Sequence, residues 1–321
     1  MANIAVTTYC NLKCPYCFAD DMICEDKKQN ITISQLQEIL QWISRTPKNH
    51  IGIIGGEPTL HPHFDEVLKE VNKFCTSLNT GATLFTNGIY LDKWLPDIGN
   101  AIGVLINLNN PNNMTTTQYR NLSETLEHLN LLSWFVPSKP KATIGCNIYL
   151  GEDKYEWIWE VVDRYKLKRV RTSVTAPGGQ YIDWRCNKEE YYETLKPIFL
   201  DFCKEAEKRR VVLGADCNQI PDCYFTEDEK KFVYTVMEGR HNGICTPVVD
   251  ITPDFRATAC FGSYDPVDCK DFENLIDLER YLLHRKSFPR VEKNCTGKCA
   301  TCKQHELLTC QGGCLGFAGG A

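Results

Sequence analysis

The sequence predicts an α/β fold: a partial barrel of about six β/α units, followed by a smaller cysteine-rich domain. Three observations carry this. Short β-branched runs alternate with stretches of helical periodicity through the first part of the chain. Those runs end in glycine- or asparagine-rich turns, at the strand ends where parallel barrels collect their chemistry. From about residue 214 the apolar runs shorten and cysteines crowd together as far as Cys314. The expected domains are therefore 1–213 and 214–321.

Composition limits the alternatives. The chain has 321 residues, 43% hydrophobic and 11% aromatic, enough for a sizeable core. Its net charge is −5 and it has no long basic run, which disfavours a nucleic-acid partner. No run is long and apolar enough to cross a bilayer, so no membrane partner is expected. The opening "MANIAVTTYC" lacks the charged and apolar regions of an export signal. Together with 18 cysteines in a core-forming chain, this predicts reducing cytoplasm and thiols used as metal ligands or apolar fillers.

The elements follow in order. "NIAVTT" (3–8) is a strand leading straight into a cysteine loop. "TISQLQEILQWISR" (32–45) has helical spacing, with Ser34 as the expected N-cap. "HIGIIGGEP" (50–58) is a strand ending in glycines, and a helix is expected over 62–76. Further strands are read at 82–88, 102–110, 141–150 and 168–174, with helices near 91–98, 118–132 and 155–166 between them. The lack of strict alternation in the apolar runs predicts strands buried on both faces. A helix is read at 188–210 despite Pro197.

The loop "YCNLKCPYCF" sets Cys10, Cys14 and Cys17 in C-x3-C-x2-C spacing. A structural zinc wants four ligands, commonly as two C-x2-C pairs. Three thiolates on a short loop suit a 4Fe–4S cube that keeps one iron open to a small molecule. This loop, with Tyr16 before its third cysteine and "GGEP" at 55–58 after the next strand, resembles the radical S-adenosylmethionine family. The resemblance covers roughly 1–180. It implies an open-iron 4Fe–4S cluster that chelates S-adenosylmethionine, and reductive cleavage of that molecule to a 5′-deoxyadenosyl radical. A small redox protein or other low-potential donor would supply the electron. It further implies that Tyr16 packs near the adenine and that Gly55, Gly56 and Glu57 receive the amino group. Asn107 stands where relatives use a serine toward the cofactor, Asn147 matches a polar residue near the ribose, and Arg120 faces either the cofactor carboxylate or solvent.

The tail "CTGKCATCKQHELLTCQGGC", with Cys245 and Cys260 upstream, resembles the SPASM extension of peptide-modifying radical enzymes. That resemblance implies one or two auxiliary 4Fe–4S clusters. One would use Cys295, Cys299, Cys302 and Cys310; the other would use Cys245, Cys260 and Cys314, with Cys217, Cys223 or nothing as fourth ligand. The pattern departs at Phe255, at the seven residues between Cys302 and Cys310, and in having no cysteine after Cys314. A zinc ribbon on Cys299, Cys302, Cys310 and Cys314 is the other use of this spacing. Cys24, Cys75, Cys146, Cys186, Cys203 and Cys269 read as core or surface thiols, and His61, His63 and His305 as helix-end or surface residues.

The leading functional expectation is a ribosomal-peptide maturase that crosslinks, oxidises or epimerises a peptide substrate. The alternatives are chemistry on a small metabolite in cofactor biosynthesis, or a non-catalytic metal scaffold. Phe261 stands where sulfatase-maturing relatives carry an aspartate, which disfavours that activity. With the first ligand at position 10, leader recognition is expected to come from elsewhere, or the substrate is small. Asp183, Asp216, Asp250 and Asp265 are candidate bases, and none is singled out as catalytic.

Overall fold

β1 (Ala2–Thr7) runs directly into the cysteine loop, and every later element is arranged around its two edges. The computed structural model describes residues 1–17, 19–23, 28–47, 50–136, 141–175, 187–217, 219–239, 245 and 248–319. After the short helix α1 (Asp20–Ile23) come α2 (Ile33–Ile43), β2 (Ile51–Gly55), α3 (Phe64–Leu78), β3 (Ala82–Thr86), β4 (Ile102–Leu108) and α4 (Thr116–Leu131). β5 (Ala142–Ile148), α5 (Glu156–Tyr165), β6 (Arg169–Val174), α6 (Lys188–Arg209) and β7 (Val212–Ala215) follow. The remaining elements are α7 (Glu227–Val236), β8 (Val249–Ile251), β9 (Arg256–Thr258), β10 (Val267–Asp268), α8 (Leu275–Leu282), α9 (Phe288–Asn294) and α10 (Lys303–Glu306).

Local sequence explains the helix ends. Thr32 caps α2: its hydroxyl accepts from Gln35 N at 3.2 Å while Gln35 Oε1 accepts from Thr32 N at 2.9 Å. The cap is therefore Thr32, not Ser34: Thr32 is the extended residue before the first turn, and Ser34 already lies inside the helix that begins at Ile33. Thr115 with Gln118 does the same for α4. The stretch near 91–98 is a 3₁₀ turn over Asp92–Asp97, since Pro96 denies the backbone N–H a longer helix needs. Pro197 is tolerated within α6 because it lies on the exposed side, while Tyr191, Leu195, Phe199 and Phe202 are buried.

The strands form one ten-stranded sheet in the order β10-β9-β8-β1-β2-β3-β4-β5-β6-β7. β1 to β7 pair in parallel with their neighbours, so their C-terminal ends share one edge. The order has two ends, so the barrel is partial. β7 spans the boundary expected near 214, and β8 runs parallel beside β1 with Asn3 opposite Asp250. β9 and β10 extend that side as antiparallel strands.

One face of the sheet packs on the helices. Ile4, Ile53, Leu84, Val104, Ile144 and Val170 are buried there against residues such as Leu36, Phe64 and Leu68. The other face lines the lumen and is only half buried: Thr83, Phe85, Asn107, Thr143, Asn147 and Arg171 all keep solvent contact. The expectation of strands buried on both faces is thus corrected. The run "IGVLINL" conceals Gly103 and Asn107 on the lumen side, so its alternation is of residue size and polarity within an apolar stretch.

Candidate metal and cofactor site

Cys10, Cys14 and Cys17 sit together on the loop after β1, each partly buried. Cys17 N donates to Cys14 O at 3.0 Å, closing a turn that brings the last two thiols round together. Burial, reinforced by Glu57 and Cys17, pushes the Cys10 thiol up to about 11. Burial and the Cys17 and Cys10 thiolates push Cys14 up to about 12. A bound metal centre would reverse this balance and favour the thiolates.

The "GGEP" turn is bolted to this loop through the backbone. Gly56 N donates to Thr7 O at 2.9 Å and Glu57 N to Tyr9 O at 2.7 Å. A Cβ on Gly55 would lie 2.3 Å from Thr7 O, and one on Gly56 2.3 Å from Tyr9 O. Glycine is required at both positions because the two backbones touch.

Glu57 is 1% exposed. Its Oε1 accepts from Thr59 N (3.2 Å), Thr59 Oγ1 (2.6 Å) and Thr86 Oγ1 (2.6 Å), and its Oε2 from Asn87 N (2.8 Å). Burial raises its carboxyl above the usual carboxylate value, and these four donors pull it back. The carboxylate thereby joins the ends of β2 and β3. Asn87 Nδ2 continues the chain of bonds to Asn11 Oδ1 at 2.8 Å, inside the cysteine loop. Gln118 Nε2 reaches Asn11 O at 2.9 Å from the start of α4.

Tyr16 is buried with its ring centroid 4.6 Å from that of Tyr149. Its hydroxyl donates to Asn109 Oδ1, which also accepts from Cys14 Sγ at 3.1 Å. Asn109 is thus a residue that sequence reasoning missed; the polar run "NLNN" was the signal, and Asn107 was chosen from it. Asn107 lies on the lumen face two residues earlier, opposite Gly145, with its backbone O accepting from Asn109 Nδ2 at 3.1 Å. Asn147 also bonds the Tyr16 hydroxyl, and its Oδ1 accepts from Ser173 Oγ at 2.6 Å. Tyr16 and Asn147 therefore meet beside the cysteine loop, while Asn107 lies on β4 opposite Gly145. Arg120 does not join them: it is exposed on α4, 3.9 Å from Glu124.

The later cysteines fall into two groups. Burial raises Cys217, and the Cys260, Cys314 and Cys245 thiolates raise it further. Cys260 is raised by burial, Asp250 and then Cys314 and Cys245. Cys217 is exposed. In the other group, burial and the Cys310, Cys299 and Cys302 thiolates push Cys223 up to about 11. Burial and Cys299 push Cys295 to about 11, with Cys310 adding to it. Among the described residues, no three His, Cys, Asp or Glu side chains stand close enough to grip a single ion.

The final "CQGGC" turn is held from outside. Asn294 Nδ2 donates to Gln311 O at 3.0 Å and Gly312 O at 3.1 Å, and Cys314 N donates to Tyr192 Oη at 2.9 Å. Gly313 has φ +93°, and a Cβ there would lie 2.5 Å from Tyr192 Oη. Gly262 N, Gly312 N and Gly316 N donate to the sulfurs of Cys260, Cys310 and Cys314 at 3.3, 3.4 and 3.3 Å.

The candidate bases part company. Asp250 is buried, accepts from Asn3 Nδ2 at 2.7 Å, and is lifted by burial to about 7. Asp216 is raised by burial and lowered by Arg171, its ion-pair partner. Asp265 pairs with Lys286 near the surface. Asp183, Cys24 and Cys186 lie outside the described residues. Cys75, Cys146, Cys203 and Cys269 are core thiols. His61 is buried at a 3₁₀ end, with Nε2 on Ile31 O at 2.8 Å and Nδ1 accepting from His63 N at 3.2 Å.

The sequence profile of the Radical SAM superfamily matches residues 4–134. Over those residues the chain is similar to a radical SAM domain. The curated GTP 3′,8-cyclase of Synechocystis sp. is 29% identical over 136 residues, 41% of this chain and 41% of that protein. The match therefore spans about two fifths of the relative's length. Among solved structures, Streptococcus suis SuiB bound to S-adenosylmethionine covers 98% of this chain and 72% of its own, at TM-score 0.64 and 18% identity. The anSMEcpe structure with bound AdoMet and Cp18Cys peptide covers 98% and 88%, at TM-score 0.65 and 16% identity. At these identities the likeness concerns the fold, a partial radical SAM barrel with a cysteine-rich C-terminal region.

Proposed function

We propose that this chain is a radical S-adenosylmethionine enzyme that modifies a peptide, with a barrel domain over 1–213 and an auxiliary-cluster domain over 214–321. The observation that carries it is the three-thiol loop at the C-terminal edge of a parallel sheet, above a half-open lumen. Cys10, Cys14 and Cys17 would hold a 4Fe–4S cluster, three ligands on one loop leaving one iron open. When bound, the cluster and S-adenosylmethionine supply a 5′-deoxyadenosyl radical that takes a hydrogen atom from substrate. Tyr16 and Asn147 would line the nucleoside end of the cosubstrate, Gly55, Gly56 and Glu57 its amino group, and Asn107 its lumen side. Glu57 orients this wall through Thr86 and Asn87, and Asn109 orients Tyr16 and Cys14.

The electrostatic neighbourhoods support one auxiliary cluster on Cys217, Cys245, Cys260 and Cys314, and one on Cys223, Cys299, Cys302 and Cys310 with Cys295 alongside. We place Cys223 as the fourth ligand, in the field of Cys310, Cys299 and Cys302, with Cys295 bonded to Cys299 beside it. The peptide reading draws support from anSMEcpe, whose structure holds a peptide and whose fold is shared over nearly the whole chain. Chemistry on a small metabolite is the second reading, favoured by the name of the Synechocystis relative.

The test is anaerobic reconstitution, iron and sulfide counting, and assay of 5′-deoxyadenosine under a low-potential reductant. Iron with matching sulfide and 5′-deoxyadenosine formation that vanishes in Cys14→Ala support the proposal. Zinc without sulfide overturns it in favour of the scaffold. Turnover of GTP in place of any peptide would favour the second reading.

A further inference from the structure

The lumen holds a cation that the cofactor site does not use. Arg171 lies on the lumen face of β6, opposite Gly145 of β5 and two residues before Ser173, the partner of Asn147. Its Nη2 bonds Asp216 Oδ1 at 2.6 Å. Its guanidinium carbon stands 5.7 Å from the ring centroid of Phe85. Phe85 is on β3, three strands away, so this contact crosses the lumen. Asp216 directly precedes Cys217, a member of the second thiol group, while the strand edge above Asn107 and Asn147 leads to the first cysteine loop. Arg171 is thus a lumen-facing cation tied through Asp216 to the segment that carries Cys217.

We infer that Arg171 anchors a single carboxylate of the substrate. Asp216 and the Phe85 ring fix the plane of the guanidinium, and a fork so held has further N–H groups to offer a second oxyanion. The side chains of Arg171 and Asp216 are 32% and 24% exposed, so the pair is open on one side rather than sealed as a strut. The charge count selects the ligand. Among the described residues of β1 to β7 on the lumen face, the other cation is Arg169, at the far end of β6 and 3.5 Å from Glu238. A polyphosphate wants several cations, whereas one guanidinium already paired to a carboxylate suits one further carboxylate. The class of substrate is accordingly a molecule carrying a carboxylate, such as a peptide with a free C-terminus or an acidic side chain. Only the position of the reacting end rests on the proposed radical chemistry.

The test uses the reconstituted full chain and phenylglyoxal, which adds to guanidinium groups, with modification of Arg171 followed by peptide mass spectrometry. N-acetylglycine and pyrophosphate are the competing probes, and exposed Arg280 is the internal control. Arg171 is expected to react, and N-acetylglycine at about ten times its dissociation constant to slow that reaction about tenfold while sparing Arg280. An Arg171 that never reacts is a closed structural pair and overturns the inference. So does equal protection of Arg280, which is ionic screening, or stronger protection by pyrophosphate, which makes the site one for phosphates. Failed protection with intact 5′-deoxyadenosine formation sinks the anchor alone; the converse sinks the radical reading alone.

Discussion

Replacing Glu57 by alanine separates two roles that a buried carboxylate beside a cofactor site can have. Two of its four donors, Thr59 N and Asn87 N, are backbone groups that cannot turn away. A buried donor left without a partner costs about 1–3 kcal/mol, so Glu57→Ala is expected to destabilise the chain by about 2–5 kcal/mol. Glu57→Gln keeps the acceptor for Thr59 and Thr86, loses the bond from Asn87 and relieves a buried charge, so about 1 kcal/mol is expected. Urea midpoints of the reconstituted protein give both values. The pH dependence carries a second signature. Because burial raises the folded carboxyl above its ordinary value, the native state binds the proton more tightly. Stability should therefore fall as pH rises from the ordinary carboxylate value through the raised one, and Glu57→Gln should remove that slope. Unchanged midpoints in Glu57→Ala, together with weakened S-adenosylmethionine binding, would refute the structural account and leave only the contact with the amino group.

Three other outcomes are expected. Cys223→Ser should lose about four irons per chain while Cys295→Ser keeps them, and the reverse result would restore Cys295 as the ligand. Gly313→Ala should lower stability by at least about 1 kcal/mol and the iron content with it, since the new methyl meets Tyr192 and the backbone has positive φ; normal iron and an unchanged midpoint would show the turn to be pliable. Asn109→Leu leaves the Tyr16 hydroxyl without its acceptor, so S-adenosylmethionine affinity, measured by equilibrium dialysis, should fall about tenfold. Unaltered affinity would mean that Tyr16 holds its place through Asn147 and Tyr149 alone.

Much of the barrel was legible because each unit is local. The β-branched runs at 82–88 and 102–110 announce β3 and β4, and the three-thiol spacing needs only eight consecutive residues. What escaped depends on contacts between distant segments. The three residues of β8 carry too little pattern to be read as a strand; they become one by pairing with β1. Asn109 lies just beyond β4, and only the fold shows that its side chain reaches Cys14 and Tyr16. Likewise, nothing in the spacing of Cys217 and Cys223 tells that one joins Cys260 and the other Cys310.

The pairing of β8 with β1 also bears on how the chain is made. On the ribosome, the outer edge of the first strand emerges early; its Val6–Thr8 end is met by Gln29–Ile31, but Ala2–Ile4 stays bare until Val249–Ile251 has been synthesised, most of a chain length later. An open edge of that kind invites pairing with a neighbouring nascent chain. Expression of residues 1–213 alone would leave it permanently uncovered.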